Sequence, residues 1–266
     1  MLETSTYHDI TQVRMGREMD GRVLYWIAAY LVDGLLIDTG CDWTKEEFMA
    51  FIKNERVEQV VNTHFHEDHI GANALVARHF GAPIYAHRES IPFIKGGQPL
   101  LPYQEFVWGT PGPSEPAELP GEIRTPSHVF QVIDTPGHSL GHVALVERAL
   151  GWCFSGDIFA REKPKFIRPE ENMRQTVDSM RKIIAALPGK LVLLASVGKI
   201  VEEGRTALEA CIAYLEEMAG RAKELQGGGA DVPSIMSALF GGEHPFAELT
   251  NGHYRTENLV RSLLEM

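Results

Sequence analysis

Three cysteines in 266 residues, Cys41, Cys153 and Cys211, are too few for a disulfide framework. Their number is odd and no Cys-x-x-Cys pair occurs, so they are expected to be reduced thiols of a cytosolic protein, each a small apolar residue in or near the core. No uninterrupted apolar stretch reaches the ~18 residues that a membrane helix needs. Basic residues are also scarce. Lys plus Arg number 25 against 36 Asp plus Glu, a formal charge of −11, and no Lys/Arg cluster stands out. A phosphate-tracking surface usually carries such clusters, so nucleic acid is not an expected partner. Residues 1–9 show no basic region followed by an apolar run, and no secretory leader is expected. Internal repeats, low-complexity tracts and a Gly-x-Ser-x-Gly nucleophile elbow are lacking too.

What is present is an ordinary globular composition, 44% hydrophobic and 23% charged. The length allows one large domain or two small ones. A chain of this size buries a core without a metal staple, so a metal bound here is expected to be functional.

Short apolar runs at 10–17, 25–32 and 35–37 read as strands, with Asp33-Gly34 as a hairpin turn between the last two. Residues 44–53 carry Phe48, Phe51 and Ile52 at helical spacing, with Thr44 as the expected N-cap and Glu47 three residues on. Further strands are expected at 57–62, 83–86, 129–134, 142–147, 151–155 and 191–195. Further helices are expected at 71–80, 173–186 and 202–218. The stretch 96–126 is dense in Pro and Gly and reads as a long surface loop of the lid or binding-loop kind. Residues 226–230 are a flexible break, and two short helices should follow around Gly241-Gly242. This alternation suits a layered α/β protein with mixed sheets.

The chemistry concentrates in Val60-Val-Asn-Thr-His64-Phe-His66-Glu-Asp68-His69-Ile-Gly71. His64 and His66 are two residues apart on an extended lead-in, which turns both to one side. Asp68 and His69 fall in the following turn and can swing to the same point. Imidazole with carboxylate is the ligand set of zinc and similar first-row ions. Two later segments each place such a group just after a strand: Thr135-Pro-Gly-His138 and Ser155-Gly-Asp157.

These motifs, with Asp38-Thr39-Gly40 before them, resemble the metallo-β-lactamase-fold hydrolase superfamily over roughly residues 10–218. The resemblance implies a four-layer αββα sandwich with two mixed β-sheets and a metal site at one edge. With the break at 226–230, the chain is expected to divide into a metallo-hydrolase domain at 1–226, with the excursion at about 96–127, and a C-terminal helical extension at 227–266. The resemblance also implies His64, His66 and His138 as ligands of a first metal, Asp68 and His69 as ligands of a second, and Asp157 as the bridge. Asp38 and His142 match positions that orient ligands. In one place the chain departs from the family. Val197, in Ala195-Ser-Val-Gly198, stands where a histidine of the second site is expected, and valine binds no metal. Three outcomes are open: a second site on Asp68, His69, Asp157 and water; a weak or empty one; or replacement by His253 or His244.

The implied activity is hydrolysis of a small ester, thioester or lactone, in the manner of the glyoxalase II-like and lactonase-like branch. A divalent ion, zinc first and iron or manganese otherwise, one or two per chain, would supply hydroxide by lowering the pKa of bound water toward ~7. Asp68 would hand a proton to the leaving group. The bridging Asp157 points away from lactam-cleaving branches, and His66 away from oxygen-reducing di-iron ones. The Gly/Pro-rich excursion and the C-terminal helices are the expected substrate walls. The expected partners are a small-molecule substrate and, in a homodimer, a second copy; no membrane is expected. Two alternatives stand beside this reading: a phosphodiesterase or nuclease on the same scaffold, and a non-catalytic ligand-binding member with an impaired second metal site.

Overall fold

A computed structural model describes residues 1–266. The first sheet takes its strands in chain order: β1 (Leu2–Tyr7), β2 (Ile10–Met15), β3 (Ile27–Val32), β4 (Leu35–Ile37), β5 (Gln59–Val61), β6 (Ile84–Ala86) and β7 (Ala117–Glu118). Neighbours are antiparallel from β1 to β4 and parallel from β4 to β7. The second sheet is also sequential: β8 (Glu122–Arg124), β9 (Val129–Asp134), β10 (Val143–Glu147), β11 (Trp152–Gly156), β12 (Val192–Ala195) and β13 (Lys199–Val201). Only β11 and β12 are parallel there. The helices are α1 (Lys45–Ile52), α2 (Asn73–Phe80), α3 (Ile91–Gly96), α4 (Pro102–Trp108), α5 (Met173–Ala186), α6 (Gly204–Gly227), α7 (Val232–Phe240), α8 (Phe246–Leu249) and α9 (Thr256–Leu264). Parallel neighbours need a crossover, and α1, α2 and α5 supply three of them.

Strand alternation builds the four layers. In β3, Ala28, Tyr30 and Val32 face Phe130, Leu145 and Phe154 of the second sheet. The intervening Ile27, Ala29 and Leu31 face the opposite way, in a cluster with Phe48 and Ile52 of α1, Val76 of α2 and Trp108 of α4. The outer face of the second sheet presents Ala144, Val146, Cys153 and Leu193 to α5, α6 and α9. Both sheets are thus apolar on both faces at their centres, which is why β3, β12 and the first four residues of β10 read as continuous apolar runs.

Local chemistry explains the elements that match expectation. Asp33 and Gly34 take φ of 47° and 86°, the left-handed pair that a two-residue hairpin requires. The α5 helix occupies the expected residues because Met173, Val177, Met180 and Ile183 fall on one buried face. Its first turn is capped by Asn172, whose side chain accepts a hydrogen bond from the Gln175 N–H.

Other expectations are corrected. Thr44 makes no cap hydrogen bond to α1; its hydroxyl donates to the Cys41 carbonyl, and a short 3-10 turn at Asp42–Thr44 leads into the helix. The excursion is not a bare loop. It contains α4, where Pro102 occupies the first turn and Trp108 and Gln104 are buried. The helix expected at 202–218 runs on to Gly227, and three helices follow it rather than two. All three cysteines are free and buried. No helix is long and apolar enough to cross a membrane.

Candidate metal centre

Just beyond β5 the chain runs through His64 to His69 before α2 begins, and every side chain of this segment is buried. Gly71 makes the close packing there feasible. A Cβ at that position would stand 2.2 Å from the Cys41 carbonyl carbon. The segment is tied to the loop after β4 by backbone bonds from Thr39 N–H to the His69 carbonyl and from Gly71 N–H to the Gly40 carbonyl.

Three imidazole nitrogens converge. His64 Nε2 lies 2.9 Å from His66 Nδ1, and His138 Nε2 lies 3.0 Å from the same atom. Nitrogens around a tetrahedral zinc at ~2.0–2.1 Å would stand about 3.3 Å apart, close to these separations. Burial and the neighbouring histidines hold His64 well below the ordinary imidazole range, and burial with the Arg168 guanidinium does the same to His66. Both are therefore neutral, the form that ligates metals. On its far side His138 meets the Glu171 carboxylate, 3.3 Å from Nδ1.

A second group forms beside the first. His69 Nδ1 donates to Asp38 Oδ2 at 2.8 Å, and Asp38 is itself held by the Thr63 N–H and hydroxyl at 2.8 Å each. That leaves His69 Nε2 buried with no hydrogen-bond partner, and Asp68 Oδ1 is in the same condition. Asp157 Oδ2 stands 3.7 Å from both His69 Nε2 and His138 Nε2, between the two groups. Burial opposes a charge on His69, yet Asp68 and Asp38 draw its pKa well above the ordinary value. Burial pushes the Asp68 carboxyl up to about 6, against the pull of His69. Buried lone pairs without partners, beside a cluster of carboxylates, are what a bound cation relieves. The sets His64, His66, His138 and His64, His69, Asp157 each present atoms within 4.8 Å of one another. The residues present therefore fit a metal, and a pair of metals.

His142 sits under this cluster rather than in it. Its Nε2 accepts the Asp157 backbone N–H at 3.0 Å, and its Nδ1 lies 2.8 Å from the Thr135 hydroxyl. Burial, with His138 next, pushes it down to about 3, so it works as a neutral hinge pin for Asp157. Gly156 adopts φ of +52° there, and a Cβ would come 2.4 Å from His142 Nε2.

Val197 contributes no donor atom; it borders a neighbouring depression with Tyr25, Trp26 and Lys199. Its neighbour Ser196 points inward instead, with Oγ 3.5 Å from Asp38 Oδ2. Of the three open outcomes, replacement of the missing histidine by His253 or His244 is not what the structure has. His253 is engaged by the Tyr103 hydroxyl at 2.7 Å and Glu170 at 3.4 Å, and His244 packs on Phe166; neither joins the cluster.

A cavity of ≈ 490 Å³ opens over the cluster, with Asp68, His138 and Asp157 in its wall. The excursion supplies Tyr103 and Trp108 to it, and the C-terminal part supplies Phe246, Leu249 and Tyr254. Sequence reasoning missed four polar residues here. Glu67 is buried inside the histidine motif, where the Gln104 amide donates to it at 2.8 Å. Arg168 is buried 3.6 Å from Glu67, and its Nε donates to the Tyr254 hydroxyl at 2.8 Å. Glu171 backs His138 and accepts the Arg168 N–H. For Glu67 its place within the motif was a signal; for Arg168, Glu171 and Tyr254 only the fold brings them in.

The sequence model of the metallo-beta-lactamase superfamily matches residues 27–195, more than half of the chain. Among curated proteins, the Probable metallo-hydrolase YybB of Bacillus subtilis (strain 168) is 28% identical over 55% of this chain and 68% of its own. The Hydroxyacylglutathione hydrolase GloC of Haemophilus influenzae is 27% identical over 54% of this chain and 69% of its own. Among solved structures, a metallo-beta-lactamase family protein from Thermus thermophilus superposes with a TM-score of 0.66 at 17% identity, covering 96% of this chain and 92% of that one, a likeness of fold. The motif match over both sheets and the shared four-layer architecture agree: this chain belongs to the metallo-beta-lactamase superfamily.

Proposed function

We propose that the chain is a metal-dependent hydrolase that cleaves a small ester, thioester or lactone at a centre for two divalent ions. Zinc is the expected metal, with iron or manganese as alternatives. The observation that carries this reading is the pair of orphaned buried atoms, His69 Nε2 and Asp68 Oδ1, beside three converging imidazoles. His64, His66 and His138 would hold one ion, Asp68 and His69 the other, and Asp157 would lie between them. Bound divalent ions lower the pKa of water toward ~7 and polarise a carbonyl oxygen.

The chain's own residues orient and move protons. Asp38 fixes His69 by its Nδ1 proton. Glu171 does the same for His138. Asp68, in the cavity wall beside Asp157, would pass a proton to a leaving group. Mostly apolar side chains line the cavity over the centre. Similarity to a hydroxyacylglutathione hydrolase supports the thioester class.

Elemental analysis of chelator-free protein should give about two ions per chain. Chelation should abolish hydrolysis of an ester, thioester and lactone panel, and added metal should restore it. His66→Ala should lose metal and activity together. Full turnover by metal-free protein would overturn the proposal. No turnover across the panel with about two ions bound would favour the phosphodiesterase reading, and a chain that binds no metal would favour a ligand-binding role.

A further inference from the structure

Beyond the bond that is cleaved, the cavity over the metal centre has a chemistry of its own. Of its 27 lining residues 18 are hydrophobic, and only Arg161 and Arg168 are cationic. Its volume of ≈ 490 Å³ falls within the ~300–1,000 Å³ typical of pockets that enclose a small molecule. The inner wall is built from Met173 and Met180 of α5 and Leu215 of α6, which belong to the apolar core beneath. The outer rim carries Leu24, Phe106 and Leu249, all exposed large apolar side chains. An apolar rim over an apolar interior is a path for a hydrocarbon, since polar groups of a ligand would lose their water there without partners.

The polar part of the lining includes the metal centre. Asp68, His138 and Asp157 form that part of the wall, and Arg168 joins them. Arg168 is 3% exposed. Its Nε is used by Tyr254, while Nη2 and Nη1 stand 3.6 and 4.0 Å from the Glu67 and Glu170 carboxylates, beyond hydrogen-bond length. The guanidinium thus lines the cavity with Nη groups that make ion pairs but no hydrogen bond.

We infer that the substrate is an acyl compound with a hydrocarbon group: the alkyl chain fills the apolar cavity and the carbonyl end lies between Arg168 and the Asp68–His138–Asp157 wall. This deepens the hydrolase reading and rests on it for the identity of the reacting bond, but not for the binding. A polar acyl group, such as a short hydroxyacid, would lose its water against this mostly apolar lining without gaining partners.

The test is calorimetric titration of the full-length protein with straight-chain methyl ketones of about four to about twelve carbons, ligand sizes a cavity of this class encloses. These carry a carbonyl but no hydrolysable bond, so failure of the proposed hydrolysis leaves the binding test intact. Affinity should rise roughly fourfold per added methylene and then level off when the cavity is full. The Ala160→Trp variant, which places an indole in the cavity lining, should level off at a shorter chain. Affinity that changes less than about twofold over the whole series would overturn the inference even if hydrolysis is found, as would an Ala160→Trp series identical to the wild type.

Discussion

Asp38 accepts the Nδ1 proton of His69 at 2.8 Å, with both side chains only 1% exposed, and this one bond aims the His69 Nε2 at the carboxylates of Asp68 and Asp157. The relationship spans 31 residues and two loops. It is supported from behind by the two Thr63 donors, so Asp38 itself cannot rotate away.

Asp38→Asn should therefore weaken the second ion. Asp38 has φ of +59°, and asparagine tolerates that left-handed backbone about as well, so the variant isolates the charge and the proton acceptor. Affinity for the second ion should fall ~10–100-fold, the usual effect of losing a ligand-orienting partner. Competition against a chromophoric chelator measures it. Unchanged affinity would remove Asp38 from the site.

Gly156→Ala should misplace Asp157. The added Cβ meets His142 Nε2 at 2.4 Å on a backbone of φ +52°. The strain should cost about 1–3 kcal/mol and lower the melting temperature. Because the clash falls on the atom that accepts the Asp157 N–H, metal content should drop as well. A stable variant with full metal would show that the His142 contact has no part in placing Asp157.

Leu263→Ala tests how the last helix is bound to the rest. Leu263 and Leu259 of α9 are fully buried in one cluster with Leu208 and Leu215 of α6 and Ile183 of α5. Truncation should cost about 2–5 kcal/mol in urea unfolding, with one transition retained. A separate early transition would mean that residues 227–266 unfold on their own.

Acid should loosen the C-terminal helices through Glu243. Burial opposes its charge, but the Thr256 and His244 amides and Arg255 bind the carboxylate and hold its pKa below 4.5. A depressed carboxylate adds stability above the unfolded pKa and loses it as pH falls through the folded value. The stability gap between wild type and Glu243→Gln should thus be constant near neutrality and shrink below about pH 4.5. A gap that does not change with pH would contradict the linkage.

Some of this was written in local sequence. His64, His66, Asp68 and His69 are neighbours in the chain, and His138 and Asp157 each follow a strand and a glycine, so their type and spacing alone marked them. The α5 helix was equally legible, because a 3.6-residue apolar period needs no partner to be read. The β1 strand was not. It is an edge strand, Leu-Glu-Thr-Ser-Thr-Tyr, mostly exposed and without a buried face to imprint a pattern. The α4 helix was hidden by the prolines and glycines around it, though its Trp108 is secured by packing against the first sheet.

The sequence by itself determined the donor types of the metal centre and the short apolar strands of the two sheets. Only the tertiary structure decided that Arg168, Glu171 and Tyr254 stand beside that centre, that Ser196 rather than Val197 turns toward Asp38, and that His253 is committed to Tyr103. The reason is physical. Ligand spacing and hydrophobic period are short-range properties fixed by backbone geometry. Pairings such as Arg168 with Tyr254, 86 residues apart, exist only after the packing of sheets and helices has chosen which loops meet.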